Sequence, residues 1–242
     1  MQRNTVKSGR RKREKLLWRV GWVAVVLLAV SITALLFLWK NSKGVQPVDY
    51  VCDLGDGIMI RSVSSYTGPF LEDGSDREAE NVWQLTVQNV SEENIQYMTI
   101  TAPGETETAR FQITTLEAGS TVTVLESTAL PYPEQAEEMA YKIEDLAYLE
   151  DELSIFPEQF TVSAKDGWIQ VENIGEGDVT EDIYVYYKNF EDGVFQGGIT
   201  YRVKFEGGIP AGESREEQTQ HYSSEKSRIL YLTYGQKQEE KD

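Results

Sequence analysis

The sequence predicts an all-β protein, with two tandem immunoglobulin-like β-sandwich domains after one N-terminal transmembrane α-helix. Three observations carry that prediction. One stretch of twenty residues, "VGWVAVVLLAVSITALLFLW" from Val20 to Trp39, holds no charge. Nearly everything after it alternates apolar and polar residues with period two. And "WQLTVQNVSEENI", from Trp83, is echoed by "WIQVENIGEGDV", from Trp168.

The uncharged run comes first. At about 1.5 Å per residue it reaches about 30 Å, the hydrocarbon thickness of a bilayer. Leu16, Leu17 and Trp18 extend it, and Trp18, Trp22 and Trp39 lie towards its ends, where amphipathic rings favour the interface. The run exceeds the apolar core of a cleaved signal peptide and ends in "LLFLWKNSKG", without a small-residue cleavage site. We therefore expect a membrane anchor over residues 16–39 and, from the basic cluster before it, a cytoplasmic tail over 1–15. Residues 40–47 read as a linker, and everything beyond is expected outside the cell.

Charge divides sharply along the chain. Residues 1–43 hold ten of the 23 basic residues and one of the 40 acids, which leaves −26 on the rest. So acidic a region repels nucleic acid and anionic lipid, and it suits a cationic partner or plain solvation. The one cysteine, Cys52, allows no internal disulfide, a habit more typical of exported bacterial chains than of small eukaryotic secreted domains.

The outer region reads as strands. In "VWQLTVQNV", Trp83, Leu85 and Val87 share one face; "RFQITTL" and "STVTVLES" alternate likewise. Leu85, Val87, Asn89 and Ile95 match Ile169, Val171, Asn173 and Val179 without a gap, and "LEAGS" matches "IPAGES" downstream. Asn89, Asn173, Gly119 and Gly212 are expected at turns, because asparagine and glycine tolerate positive φ. From the asparagine to the glycine the second copy spans 39 residues against 30 in the first. The extra nine lie around "YYKNFEDGVFQGGITYRV", which reads as a hairpin connected through "FEDGVFQGG". The repeat sets the expected domains at 48–153 and 154–235, with a disordered tail at 236–242. Between the copies, Met139, Ile143, Leu146 and Leu149 stand at helical spacing, which predicts a short helix followed by a strand.

The stretches "LTVQNVSEENIQYMTI", "GWIQVENIGEGDVTEDIYVYYKN" and "GGITYRV…IPAGES" resemble uncharacterised membrane-anchored proteins of Clostridia-type Gram-positive bacteria. They are also similar, more loosely, to FxLYD-type immunoglobulin-like domains of Gram-positive surface proteins, although the FxLYD string itself is missing. The resemblance covers most of residues 80–235 and implies a surface-exposed β module, not a reaction.

Chemistry is sparse. His221 is the sole histidine, so multi-histidine metal sites are excluded. A Cys52–His221 dyad is conceivable, yet the acids in "DYVCDLGD" oppose a thiolate. The string Leu71–Asn81 offers Glu72, Asp73, Asp76, Glu78 and Glu80 to a hard cation such as calcium, but lacks calcium-loop spacing. No phosphate loop appears, and no carboxylate pair stands out for glycoside hydrolysis. The expectation is a non-enzymatic, cofactor-free interaction or structural module of the bacterial cell envelope, bound to the lipid bilayer through residues 16–39, with a protein partner there and no nucleic acid. The alternative is an envelope enzyme or accessory subunit acting on cell-wall polymer. In "DIYVYYKNF", Ile183, Val185 and Tyr187 share one face and Tyr184 and Tyr186 the other. If the first set faces the core, Tyr184 and Tyr186, with Phe190 and Phe195 at the hairpin tip, form a candidate protein-interaction surface. The opposing expectation is that both faces are buried.

Overall fold

Period-two burial and abundant Asp-Gly turns give a fold built from strands. The computed structural model describes residues 52–104 and 107–235. The expected anchor, residues 16–39, lies outside the described residues, as do the tail at 1–15, the linker at 40–47 and the C-terminal tail at 236–242. Among the described residues thirteen strands fill three sheets. A seven-stranded sheet runs in the order β1 (Cys52–Gly55), β2 (Ile58–Pro69), β3 (Glu78–Asn89), β6 (Thr121–Leu125), β11 (Val194–Phe205), β10 (Ile183–Glu191), β13 (Ser227–Tyr234). Three strands, β5 (Thr108–Leu116), β4 (Ile95–Pro103) and β7 (Lys142–Tyr148), form a second sheet. The third is β12 (Ser214–Gln218), β9 (Trp168–Asn173) and β8 (Phe160–Lys165). The result is all-β and sandwich-like.

Each three-stranded sheet closes a hydrophobic core against part of the long one. The first core gathers Ile60, Leu85, Val87, Met98, Phe111 and Val124; the second gathers Ile169, Val171, Ile183, Val185 and Phe205. Each fully buried aliphatic side chain contributes about 1.5–3 kcal/mol. The alternations read in the sequence thus select the inward faces. Position 153/154, expected between the two copies, falls in the connection between β7 and β8.

The asparagines of the repeat do a job other than the expected one. Neither has positive φ. Both are fully buried at the end of a strand and spend their amides on backbone. Asn89 Nδ2 donates to the carbonyls of Glu93 (2.8 Å) and Leu116 (3.2 Å), and its Oδ1 accepts from the Ser91 amide (3.0 Å). Asn173 Nδ2 donates to Gly177 and Ile209 (2.9 Å each), and its Oδ1 accepts from the Gly175 amide (3.0 Å). The backbone N–H of each also donates to the residue after the matched glycine, Ser120 or Glu213. One asparagine therefore folds its own turn and pins it to a distant one. The glycines do adopt positive φ, 74° at Gly119 and 77° at Gly212.

The expected helix shrinks to a single 3-10 turn, Ala136–Glu138, followed by β7. The helical spacing has a strand explanation. Where β7 pairs with β4, Asp145 faces Thr99 and Ile143 faces Ile100, so Glu144 is an extra residue in the ladder. That bulge puts Ile143 and Leu146, three apart, against the same core. The segment 152–156 that follows forms no strand; its Ser154 carbonyl accepts from the Leu232 amide on the β13 edge (2.9 Å).

The nine extra residues lengthen the β10–β11 hairpin. Ile95 pairs with Leu116 in the first copy, as Val179 pairs with Ile209 in the second; beyond those pairs both hairpins continue, and the second is nine residues longer. Its turn is Asp192–Gly193, both left-handed (φ 50° and 85°), as a two-residue type I′ turn demands. Phe190, Glu191 and Val194–Gly198, expected in the connection, are strand. The tip then lies parallel to β6, with Phe195 opposite Val122 and Gln196 opposite Thr123. This joint makes the long sheet continuous, and the described residues fall in one compact unit.

Candidate protein-interaction surface

The strand alternation sorts β10 as the sequence suggests. Ile183, Val185 and Tyr187 enter the second core, while Tyr184 and Tyr186 stand half-buried on the other face. Tyr186 stacks on Tyr231 of β13, its cross-strand partner, with centroids 4.3 Å apart and planes within 5°. Tyr231 in turn packs against the first core. Tyr184 lies beneath the Arg202 guanidinium, whose carbon is 5.3 Å from the ring centroid. Lys204, opposite Tyr184, pairs with Asp182 at 2.7 Å. That contact, with the Gly207 amide, holds the Asp182 carboxyl below its ordinary range. Arg202 is exposed and has no ion pair among the described residues. Tyr184, Tyr186, Tyr231, Arg202 and Lys204 thus form one aromatic and cationic strip on an otherwise acidic region.

The hairpin tip contributes less than expected. Phe195 is 1% exposed and belongs to the first core, because the tip pairs with β6 and carries the ring in beside Val122. This corrects its expected place on an exposed surface. Phe190 is half-buried against it, with centroids 5.1 Å apart, and the Arg228 guanidinium covers both rings at 5.0 and 4.8 Å. Arg228 itself pairs with Glu117 of the first half. Tyr184 and Tyr186 therefore stay partly exposed, while Phe190 and Phe195 pack into the joint.

Behind the strip sits a residue that sequence reasoning passed over. Lys188 is fully buried. Its Nζ donates to the carbonyls of Thr114 in β5 (2.7 Å) and Gly198 in β11 (2.8 Å). Thr114 and Thr200 hydroxyls complete the contact, at 3.1 Å to each other. Glu72 lies close by, and its carboxylate accepts from the Leu125 amide (2.9 Å) and the Gly198 amide (2.8 Å). Burial drives the two pKa values towards each other, Glu72 up to about 7 and Lys188 down to about 7. Gly198 is required here, since a Cβ would collide with the Gln112 carbonyl. The one signal in the sequence was Lys188 sharing the parity of Tyr184 and Tyr186; Thr114 and Glu72 belong to the other half and could not be read locally.

The remaining candidates disperse. Cys52 is on β1, at one edge of the long sheet, while His221 stacks on Tyr201 of β11 (4.6 Å) and faces Asp76 (3.3 Å). Four strand spacings separate β1 from β11, about 19 Å. In the acidic string, Glu72 is tied to backbone, Asp73 accepts from Ser75 and pairs with Arg77, and Asp76 meets His221. Among the described residues no group of three or more histidine, cysteine or carboxylate side chains could hold a metal ion.

Comparison of the chain with known protein families, curated proteins and solved structures finds no match to any of them.

Proposed function

We propose that the chain is a single-pass membrane-anchored extracytoplasmic protein, a non-catalytic interaction or structural module of the bacterial cell envelope. Residues 16–39 cross the bilayer with the N-terminus inside. Beyond them stand two related immunoglobulin-like sandwiches, one per copy of the repeat. The observation that carries the reading is the strip of Tyr184, Tyr186, Tyr231, Arg202 and Lys204, a sheet face rich in tyrosine and basic side chains. Those residue types dominate the energetics of protein interfaces. A free guanidinium within a region of charge −26 is placed to meet a partner's carboxylate rather than one of its own.

The separation of Cys52 from His221 favours this reading over the envelope enzyme. The double change Tyr184→Ala, Tyr186→Ala tests it. Crosslinking in the native membrane should lose the principal partner of the wild-type chain while the protein stays folded and anchored. If every crosslinked partner survives the double change, the strip is not the interface. Protease added to intact cells should digest the part beyond Lys43; protection would remove the proposed topology.

A further inference from the structure

A strand at the border of a sheet offers a row of unpaired N–H and C=O groups to any strand that meets it, and folded chains block such rows with charge, bulges or cover. Among the described residues the three sheets have as border strands β1 and β13, β5 and β7, and β12 and β8. All but β8 are blocked. β1 is four residues long and irregular in register. The Leu232 amide of β13 donates to the Ser154 carbonyl (2.9 Å). In β5 the Arg110 amide donates to Glu126 (3.1 Å), and the Thr114 carbonyl accepts from Lys188 (2.7 Å). β7 is bulged and carries Lys142, Glu144 and Asp145. β12 carries Arg215, Glu216 and Glu217.

β8 has none of these devices. "FTVSAK" contains no proline and no acid, its ladder with β9 runs without a bulge, and its one charge, Lys165, is its last residue. The direction of its free groups follows from a hydrogen bond at its start. The Ile174 amide donates to the Gln159 carbonyl (2.9 Å), so in this antiparallel ladder Thr161, Ser163 and Lys165 also bond towards β9. Val162 and Ala164 therefore point their N–H and C=O groups the other way, where no strand lies among the described residues. The side chains agree. Val162 and Ala164 are half-buried, whereas Val171 and Ile169 opposite them on β9 are fully buried. Phe160 closes the open row, because its amide turns back to the Phe156 carbonyl (2.8 Å).

The row of Val162 and Ala164 is complementary to itself. Turned through half a revolution, it sets Val162 against Ala164 twice and Ser163 against its own copy. The neighbouring register, centred on Val162, would bring Ala164 against Phe160, whose amide is already taken. Lys165 then stands opposite Thr161, so no like charges meet on the paired strands. That matters for a chain of net charge −17, which resists self-association wherever acids would face acids.

We propose that β8 pairs antiparallel with β8 of a second copy of this chain, about a two-fold axis through Ser163. Val162 of each copy exchanges both backbone hydrogen bonds with Ala164 of the other, and the β12–β9–β8 sheet continues across the axis into its copy. The pairing uses neither the tyrosine strip nor the membrane anchor.

Cysteine crosslinking of the purified full chain in detergent tests both the pairing and its register. In a Cys52→Ser background, Ser163→Cys should give a disulfide-linked dimer on mild oxidation, because the two Cα atoms stand about 4.5 Å apart across the axis, within disulfide reach. Thr161→Cys, about 13 Å from its own copy, should not. Val162→Pro added to Ser163→Cys removes an outward N–H without touching the β9 ladder and should abolish the crosslink. Ser163→Lys, an exposed change that opposes two lysines at the axis, should turn the Cys52→Ser chain from dimer to monomer in light scattering with its circular dichroism unchanged. A Ser163→Cys chain that stays monomeric, equal crosslinking through Thr161→Cys, a crosslink that survives Val162→Pro, or a Ser163→Lys chain that stays dimeric would each overturn the proposal.

Discussion

The first and second halves of the unit share one scheme and differ by one hairpin. Both end a central strand on a buried asparagine, Asn89 or Asn173, that bonds its own turn and a distant carbonyl. Both carry a left-handed glycine at the matched late turn. The first half stops its β4–β5 hairpin at Pro103 and Thr108. The second extends its hairpin, and the extension holds Lys188, the Asp192–Gly193 turn, Phe195 and Gly198. The comparison teaches that the joint between the halves lies in the added length of one hairpin. The shared scheme recurs at each core; the added residues bring strands of both halves into one continuous sheet.

That contrast can be broken at the joint first. Phe195→Ala should cost about 4 kcal/mol, as truncation of a buried phenylalanine does, and should lower the unfolding midpoint of both halves together. A loss confined to the second half, seen by amide exchange, would separate the ring from the first core.

The shared scheme comes next. Asn89→Ala and Asn173→Ala should each cost about 3 kcal/mol, because each strands several buried backbone groups. Urea unfolding of the two variants should give similar losses. A silent variant on one side would show that the matching hydrogen bonds are not equivalent.

Lys188→Met sharpens the comparison, since the first half has no counterpart to this lysine. The change takes the charged donor from the Thr114 and Gly198 carbonyls, which keep only threonine hydroxyls, and leaves Glu72 without its buried countercharge; it should cost about 2 kcal/mol. Glu72→Gln added to it should cost less than its effect in the wild-type background, a coupling that a double-mutant cycle reads directly.

The smallest effect concerns pH. Lys204 and the Gly207 amide hold Asp182 below its ordinary range. A depressed carboxyl stabilises the fold above its unfolded pKa, near 3.8, and that contribution is lost as pH falls through the lower folded value. Asp182→Asn should therefore shallow the acid limb of the stability curve below about pH 4 and leave the curve above pH 5 parallel to wild type. An unchanged acid limb would show that the exposed pair is screened away.

Much of this architecture is legible in the sequence, and the exceptions have physical causes. Leu85 with Val87, and Ile183 with Val185 and Tyr187, declare their faces because both strands are half-buried and regular. The repeat and the longer second hairpin are visible as spacing. The helical reading of Met139, Ile143 and Leu146 failed because a bulge at Glu144 imitates a three-residue period within a strand. Phe195 looked like a surface tip because nothing in its neighbourhood announces β6, which is some seventy residues earlier and pairs with it in parallel. Lys188 escaped for the same reason: the Thr114 carbonyl that caps it and the Glu72 carboxylate beside it belong to the other half. Of the expected interface, Tyr184 and Tyr186 could be placed from alternation alone, whereas Arg202 and Tyr231 required the strand register.

The central claim is that the added hairpin makes the two halves a single cooperative unit. Trp83 reports from the first core and Trp168 from the start of β9 in the second half. With 5-fluorotryptophan incorporated in the full chain, ¹⁹F NMR can follow each indole separately through a denaturant titration. The account predicts that the native signals of Trp83 and Trp168 vanish at one common midpoint. Loss of either signal while the other stays native would contradict it.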